Sequence, residues 1–396
     1  MLTSVLPAAV FVILFPLATY ATPFPIPANT TVDVADKYII TLRPGADFDR
    51  HLNFVTTLSN TNEEGTAFGG LSRRFNISDY QAYTGHFHGS VIDQLWEHGD
   101  VEDIEPDQVW STTSVMTQNN PPYGLNLISH RGLSQDQKGY SYDSSAGKGT
   151  FGYILDTGID VKHPEFEGRA YHGFNVIRTS PPDDHVGHGT HVAGTIGSRT
   201  FGVAKRCELI AVKVLEGFSG SMSDIQEGYD WAVKDIIAHK RKRVAVINMS
   251  LGGPLSRSFN RAIDAALEIG VTTVVAAGNN NGDASDFSPA SAAGAITVGA
   301  TDKYRGRANF SNWGTNVTLF APGVDVLSTW PGNGTRSLSG TSMASPHIAG
   351  LCLYLQSIKI FTNAKILKRS LTRLATRKVI ADVKGSPNLF AYNNGV

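Results

Sequence analysis

Four polar side chains, far apart along the chain, are of the types that nucleophilic catalysis needs. Asp156 ends the apolar stretch Phe151-Gly-Tyr-Ile-Leu155. His188 stands in Gly187-His-Gly-Thr-His-Val-Ala-Gly194, and Ser342 in Ser339-Gly-Thr-Ser-Met-Ala-Ser-Pro-His347. A serine hydroxyl is a poor nucleophile near neutral pH. It needs a histidine to take its proton and an acid to hold that histidine's tautomer and stabilise the imidazolium. Asp156, His188 and Ser342 supply these types in the order Asp, His, Ser, one of the orders in which such triads occur. Asn279 follows the apolar run Thr273-Val-Val-Ala-Ala277 and Gly278. Its amide can donate to a developing oxyanion beside the backbone N–H of Ser342. Taken singly, each residue has an ordinary reading: a loop acid, a core histidine, a helix cap, a turn asparagine. Together they point to acyl transfer.

Other chemistries fit less well. His185, His188 and His191 are three apart. The His-Glu-x-x-His pattern is absent, however, and no acidic ligand follows at helical spacing, so no metal site is assigned there. No Gly-x-Ser-x-Gly elbow occurs, which disfavours an esterase or lipase of the α/β-hydrolase type.

The elements that must position these residues read as strands alternating with helices from about residue 123 onward. Phe151–Leu155, Leu209–Leu215, Val244–Met249 and Val271–Ala276 are apolar strands. A helix is expected from about Ser223, as N-cap, with Ile225, Tyr229, Ala232, Val233, Ile236 and Ile237 on one face. Another is expected over Ser256–Ile269, ended by Gly270. Continuous apolar strands with helices between them imply an α/β fold with a mainly parallel sheet covered on both faces. Sites in such folds form at the carboxyl ends of the strands, where Asp156 and Asn279 fall. Ser342 is expected at the N-terminus of the helix that carries Ile348–Leu355, where free N–H groups and the helix dipole favour negative charge. Pro346 is expected in the first turn, where it costs little because few N–H groups have helical partners.

Residues 37–110 read as a separate small α+β unit. Lys37–Leu42, Tyr80–Phe87 and Val101–Trp110 are strand-like, and Asp47–Leu58 and Val91–Glu97 are helical. The order strand–helix–strand–strand–helix–strand suggests a ferredoxin-like split βαβ arrangement. The polar, proline-ended stretch Ser111–Pro122 reads as an exposed linker open to proteolysis.

Composition bounds the partners. Lys plus Arg is 34 and Asp plus Glu is 35, a net charge of −1. Nucleic acid and anionic membranes both need a basic surface and are disfavoured. The apolar run Val5–Leu17 followed by Ala18-Thr-Tyr-Ala21 reads as a signal peptide over 1–21, and it is shorter than the ~20 residues of a membrane span. No other segment is long and apolar enough to cross a bilayer, so a secreted, extracellular protein is expected. The sequons at Asn29, Asn76, Asn309, Asn316 and Asn333 are glycosylation candidates, while Asn248 reads as part of a buried strand. With only 2 Cys, disulfide-dense scaffolds and Cys₄ metal sites are ruled out.

The motifs Asp156-Thr-Gly, His188-Gly-Thr-His-Val-Ala-Gly, Ala277-Gly-Asn279 and Gly340-Thr-Ser-Met-Ala-Ser-Pro346 resemble those of the subtilases. His163-Pro-Glu-Phe-Glu-Gly-Arg169, Gly202-Val-Ala-Lys205, Asn248-Met-Ser-Leu-Gly-Gly253 and Gly385-Ser-Pro-Asn-Leu-Phe-Ala-Tyr-Asn393 are similar to stretches of the secreted fungal proteinase K and oryzin group. The resemblance implies a subtilisin-like peptidase domain over 115–396 and a propeptide over 22–114, whose inhibitor and chaperone part covers about 37–110. It implies cleavage of peptide bonds through an acyl-enzyme. Ser342 would attack, His188 would act as base then acid, Asp156 would orient His188, and Asn279 with the Ser342 amide would hold the oxyanion. His191 would not be the base.

Substrate would add as an extra strand to edges at Ser250-Leu251-Gly252 and Ser219-Gly220-Ser221. The side chain before the scissile bond would enter a pocket walled by Leu251-Gly252-Gly253 and Ala276-Ala277-Gly278. The uncharged walls give an expected preference for apolar or aromatic side chains. The maturation cut is expected between about Trp110 and Gln118. No cofactor is required by the chemistry. The family's tight calcium site places a carboxylate where this chain has Thr318, which cannot supply the anionic oxygen, so structural calcium stays open. Cys207 and Cys352 are expected as free buried thiols, and a monomer as the family expectation. The other classes are a non-catalytic binding protein on the same scaffold and an anchored, narrowly specific processing peptidase. The intact constellation speaks against the first, and the uncharged walls and missing span against the second.

Overall fold

The structure is a computed structural model that describes residues 36–60, 69–107, 115–132 and 139–394. The expected signal peptide, the Asn29 sequon and residues 110–114 of the expected maturation stretch lie outside the described residues. The chain divides between Thr112 and Thr113 into two compact units.

The smaller unit runs β1 (Lys37–Leu42), α1 (Phe48–Asn60), β2 (Gly70–Ile77), β3 (Tyr80–His86), α2 (Gly89–Trp96) and β4 (Val101–Pro106). Its antiparallel sheet has the order β2–β3–β1–β4. Ile40 and Leu42 of β1 pack with Leu52 and Val55 of α1, and with Val91 and Leu95 of α2. One side of each helix is thus buried on one face of the sheet, as their helical spacing requires. The expected split βαβ order is the one observed.

The larger unit opens with β5 (Val115–Gln118), α3 (Tyr123–Ser129), β6 (Tyr140–Asp143), β7 (Phe151–Asp156), β8 (Ala170–Asn175), α4 (His188–Gly197) and β9 (Glu208–Lys213). It continues through α5 (Met222–Ala238), β10 (Ala245–Met249), β11 (Gly253–Pro254), α6 (Arg257–Glu268), β12 (Thr272–Ala276), β13 (Phe287–Ser288), β14 (Ile296–Thr301) and β15 (Leu319–Pro322). It ends with the hairpin β16 (Val326–Trp330) and β17 (Gly334–Leu338), then α7 (Thr341–Ile358), α8 (Ala364–Leu374), β18 (Thr376–Arg377) and β19 (Leu389–Phe390). The main sheet has nine strands in the order β18–β19–β15–β14–β12–β10–β7–β9–β8, parallel except for β18.

Side chains alternate between two cores. Ile154 of β7 faces a cluster with Val192 and Ile196 of α4 and Ile348 and Leu351 of α7. Its neighbours Tyr153 and Leu155 face the other cluster, with Tyr229 and Ile236 of α5 and Phe259 and Ile263 of α6. Each strand is therefore buried on both faces, which explains the unbroken apolar runs. The register aligns the carboxyl ends: Leu155 pairs with Met249, Asp156 with Lys213, and Met249 with Val275. Everything that follows these positions emerges along one edge.

Four local expectations need correction. The cap of α5 is Ser221, whose hydroxyl accepts from Asp224 N, and Ser223 is not the cap. Ile237, placed on the buried face of that helix by its spacing, is 40% exposed. The stretch read as a linker contains β5, which pairs with β6. Helix α7 begins at Thr341, so Pro346 is its sixth residue and lies beyond the first turn.

Candidate active site

Asp156 is the last residue of β7 and is fully buried. Its Oδ1 accepts the N–H of Thr157 at 2.8 Å and the Nδ1–H of His188 at 2.7 Å. Its Oδ2 has no hydrogen-bond partner. The carboxylate charge is therefore directed at the imidazole, with no competing cation among its hydrogen bonds. Burial alone would lower the His188 pKa. The charge and hydrogen bond of Asp156, with Asp184 behind them, outweigh this and hold it above its ordinary 6.5.

Asp184 was not singled out from the sequence, yet it organises the start of α4. Buried in the turn before the helix, its Oδ1 accepts from Thr157 Oγ1 and from the backbone N–H groups of Val186 and Gly187 at 2.8–3.0 Å. Its Oδ2 accepts from Thr190 N and Oγ1 at 2.8 and 2.7 Å. An aspartate serving the orphan N–H groups of a helix start is an ordinary capping device, and its place four residues before His188 was the available signal. Gly187, the cap residue itself, has φ +96, and a Cβ there would strike the Trp330 ring. Lys213, beside Asp156 in the register, ties the same turn through Thr157 O and Asp183 O.

His191, one turn further along α4, is different in every respect. It is fully buried, and its Nε2–H donates to the carbonyls of Val326 and Arg336 in the β16–β17 hairpin. Burial pushes its pKa down to about 4. It is a neutral structural histidine.

Ser342 is the second residue of α7. Gly340 is the cap residue, so Ser342 does not cap the helix, and its N–H has no intrahelical acceptor. Its Oγ–H donates to Ser250 O at 3.0 Å. The Ser250 hydroxyl donates in return to Ser342 O at 2.9 Å. That carbonyl would ordinarily accept from residue 346, but Pro346 has no N–H to give. The sequence reading assigned Ser250 to an edge for substrate and missed this reciprocal pairing.

Asn279 lies in the loop after β12. Its Oδ1 accepts from both Thr341 N and Thr341 Oγ1 at 2.8 Å. The amide oxygen is thus committed, and Nδ2 is left as the free end. Thr341 Oγ1 also accepts from Gly278 N at 3.1 Å, which knots this loop to the start of α7. Buried Asn312 shapes the same loop, donating to Ala277 O and accepting from Asn280 N and Gly282 N. Gly278, at φ +102, leaves room for the Asn312 amide. Neither Thr341 nor Asn312 was recognised from the sequence.

A cleft of about 410 Å³ opens beside Ser342 and Asn279. Leu251, Gly252, Gly253, Ala276, Ala277 and Gly278, the expected walls, all line it. Phe287 and Ala290 complete it and were not foreseen; no lining residue is charged. Ser219, Gly220 and Ser221 are exposed and do not reach this cleft. Ser219 exchanges both backbone hydrogen bonds with Glu216, and Ser221 caps α5.

Comparison with known proteins fits this geometry. The subtilase family matches residues 147–392, and the peptidase inhibitor I9 family matches residues 37–113. The chain belongs to the subtilase family. It is a serine endopeptidase, a hydrolase, made as a zymogen with an I9-type propeptide ahead of the peptidase domain. Alkaline protease 1 of Aspergillus clavatus is 45% identical over 390 residues, 95% of each chain. The alkaline proteinase of Hapsidospora chrysogena is 44% identical over 374 residues, 91% of this chain and 92% of that one. Among solved structures, a cold adapted subtilisin-like serine proteinase is 38% identical, with a TM-score of 0.65 over 69% of this chain and 98% of that chain.

The remaining sequence-expected positions of this subtilase are spread over its surface and sheet. Asn76, Asn309 and Asn333 are exposed, and Asn333 sits at the tip of the β16–β17 hairpin. Asn316 is half-buried, and its amide donates to Ser291 O. Thr318 Oγ1 accepts from Thr297 N. Cys207 and Cys352 are unpaired and buried, and burial pushes both thiols up to about 12.

Proposed function

We propose that this subtilase is a secreted, self-processing endopeptidase that prefers apolar or aromatic side chains before the scissile bond. The observation that carries the reading is the 2.7 Å hydrogen bond from His188 to buried Asp156, at the sheet edge from which Ser250 and Asn279 also emerge. In this reading Ser342 Oγ leaves Ser250 O, gives its proton to His188 and attacks the substrate carbonyl. Asp156 keeps His188 in the tautomer whose Nε2 can accept, and stabilises the imidazolium that forms. The Asn279 amide and the Ser342 N–H hold the oxyanion. His188 then returns the proton to the leaving amine. Peptide substrate pairs with the backbone after β10, at Ser250–Gly252, and its preceding side chain enters the uncharged cleft. The Ser219–Ser221 segment is kept as a second substrate edge.

The chemistry needs no cofactor; with Thr318 in place of the family's carboxylate, calcium is not assigned a site. The signal peptide, the sequons and the secreted group it resembles support export and glycosylation, chiefly at exposed Asn76, Asn309 and Asn333. No helix among the described residues is long and apolar enough to cross a membrane. The propeptide, ending near residue 114, is released by a cut between about Trp110 and Gln118 and acts before that as an intramolecular inhibitor of a monomeric enzyme. The non-catalytic alternative is not favoured.

A fluorophosphonate label on protein from culture medium, with intact mass and peptide mapping, tests the reading. Label on Ser342 in a species that begins after residue 110 is the expected result. A processed protein that takes no label would overturn it.

A further inference from the structure

The smaller unit holds a polar cluster that neither its fold nor peptide hydrolysis explains. His51 is the fourth residue of α1, in its first turn, and is 1% exposed. His98 and Asp100 flank the turn between α2 and β4. One ligand atom from each of these residues lies within 4.8 Å of the other two. His51 Nδ1 is 3.7 Å from Asp100 Oδ2, and His98 Nδ1 is 3.8 Å from the same oxygen. These distances exceed a hydrogen bond, and buried His51 Nδ1 has no hydrogen-bond partner. A buried ring nitrogen without a partner costs stability unless something fills the role.

The other nitrogen of His51 is held. Nε2 lies 3.1 Å from the hydroxyl of buried Tyr83. With Nε2–H donated to that hydroxyl, the lone pair of Nδ1 faces Asp100 and His98. A hydrogen-bonded far nitrogen that fixes tautomer and ring orientation is the usual outer support of a histidine ligand. Two imidazoles and one carboxylate, with a side open to water, form the donor set of an open zinc site.

We propose that His51, His98 and Asp100 form a Zn²⁺ site in the propeptide unit, with water as the fourth ligand. Zinc ligands at about 2.0–2.1 Å stand roughly 3.3 Å apart in a tetrahedron, so the cluster must contract by less than about 1.5 Å at its widest. Asp100 and His98, both partly exposed, can make that movement. Two present contacts must yield. Arg50 Nη2, 3.5 Å from Asp100 Oδ2 on an exposed side chain, swings away, and the Asp100 N–H now bonded to His98 Nδ1 at 3.2 Å turns to water. The ion gives Nδ1 its missing partner and joins α1 to the α2–β4 turn. Because the unfolded chain does not bring these residues together, zinc would stabilise the folded propeptide and delay its removal. The site rests on the propeptide unit alone and does not depend on Ser342 being the nucleophile.

The test uses the full chain carrying Ser342→Ala, so that no self-processing removes the unit. Competition against a chromophoric chelator measures Zn²⁺, and Co²⁺ absorption reports four-coordination. Binding of one Zn²⁺ at micromolar concentration or tighter is expected, with visible Co²⁺ bands displaced by Zn²⁺. His98→Gln and Asp100→Asn should each weaken it at least tenfold, and zinc should raise the melting temperature of the parent but not of His98→Gln. His51→Gln is a secondary variant, because it alters a buried position and can fail to fold. Absence of stoichiometric binding, or equal binding in both surface variants, would overturn the site.

Discussion

The edge of the large sheet and the small propeptide unit each set a buried residue of a histidine–aspartate pair against its partner, with opposite results. At the sheet edge, His188 reaches Asp156 at 2.7 Å and donates its Nδ1–H. In the smaller unit, His51 Nδ1 and Asp100 Oδ2 stand 3.7 Å apart, and Nδ1 has no hydrogen-bond partner while Nε2 is held by Tyr83. The residue types are the same. Which ring nitrogen the surroundings engage decides whether the histidine is poised to move a proton or to present a lone pair. His191 adds a third case, with its Nε2–H spent on backbone carbonyls. A histidine's chemistry is thus written in its second contact more than in its first.

Substitutions at the sheet edge bear most directly on this contrast. Ser342→Ala should lower kcat on the order of 10⁶-fold and leave the chain unprocessed, read by peptide hydrolysis and intact mass. Asp156→Asn should keep the fold but lower kcat about 10⁴-fold, because the neutral amide no longer enforces the tautomer. If it retained near-normal activity, the 2.7 Å contact would be a structural one only. Asn279→Ala should cost about 10²–10³ in kcat with little change in KM. Thr341→Val should produce a smaller loss of the same kind that vanishes in the Asn279→Ala background.

Two pH effects are smaller. The proposed mechanism requires neutral His188, so kcat/KM should fall as pH drops through a midpoint above 6.5. Asp184→Asn removes one of the charges that raise this midpoint and should shift the acid limb to lower pH. An unmoved limb would show that Asp184 serves α4 geometry alone. Stability should follow His191 and His347, both held near 4 by burial. Between pH 6.5 and 4 the unfolded chain takes up protons that the native state refuses. The native state is therefore favoured above 6.5 and loses on the order of 3 kcal/mol per histidine on the way down to 4. Thermal melts of Ser342→Ala protein across that range should show a slope that His347→Gln flattens.

Much of this was legible in the sequence for physical reasons. Strands buried on both faces must be continuously apolar, so β7, β9, β10 and β12 declared themselves, and the residues after them were placed at one edge. The cleft walls from Leu251–Gly253 and Ala276–Gly278 came from the family resemblance, and all six residues line the cleft. What stayed hidden depends on partners distant in sequence. Asp184 serves N–H groups whose orientation only the folded turn defines. Thr341 and Asn312 act on a loop thirty or more residues away. The Ser221 cap lies two residues before the expected Ser223, because both are serines and spacing alone does not choose between them. Strand β5 was missed because its partner, Tyr140–Asp143, lies across an intervening helix. The unforeseen cluster in the small unit joins residues nearly fifty positions apart, and no local pattern announces it.

The proline at the sixth position of α7 has a mechanical consequence. Helix ends ordinarily fray, and a nucleophile in the first turn would share that looseness. Here the carbonyl that Pro346 releases is moored to the Ser250 hydroxyl, and the preceding Thr341 is moored to Asn279. The Ser342 hydroxyl, the proposed nucleophile, is thereby fastened to the ends of two central strands, and its positional error is set by the stiffness of the sheet instead of the softness of a helix tip.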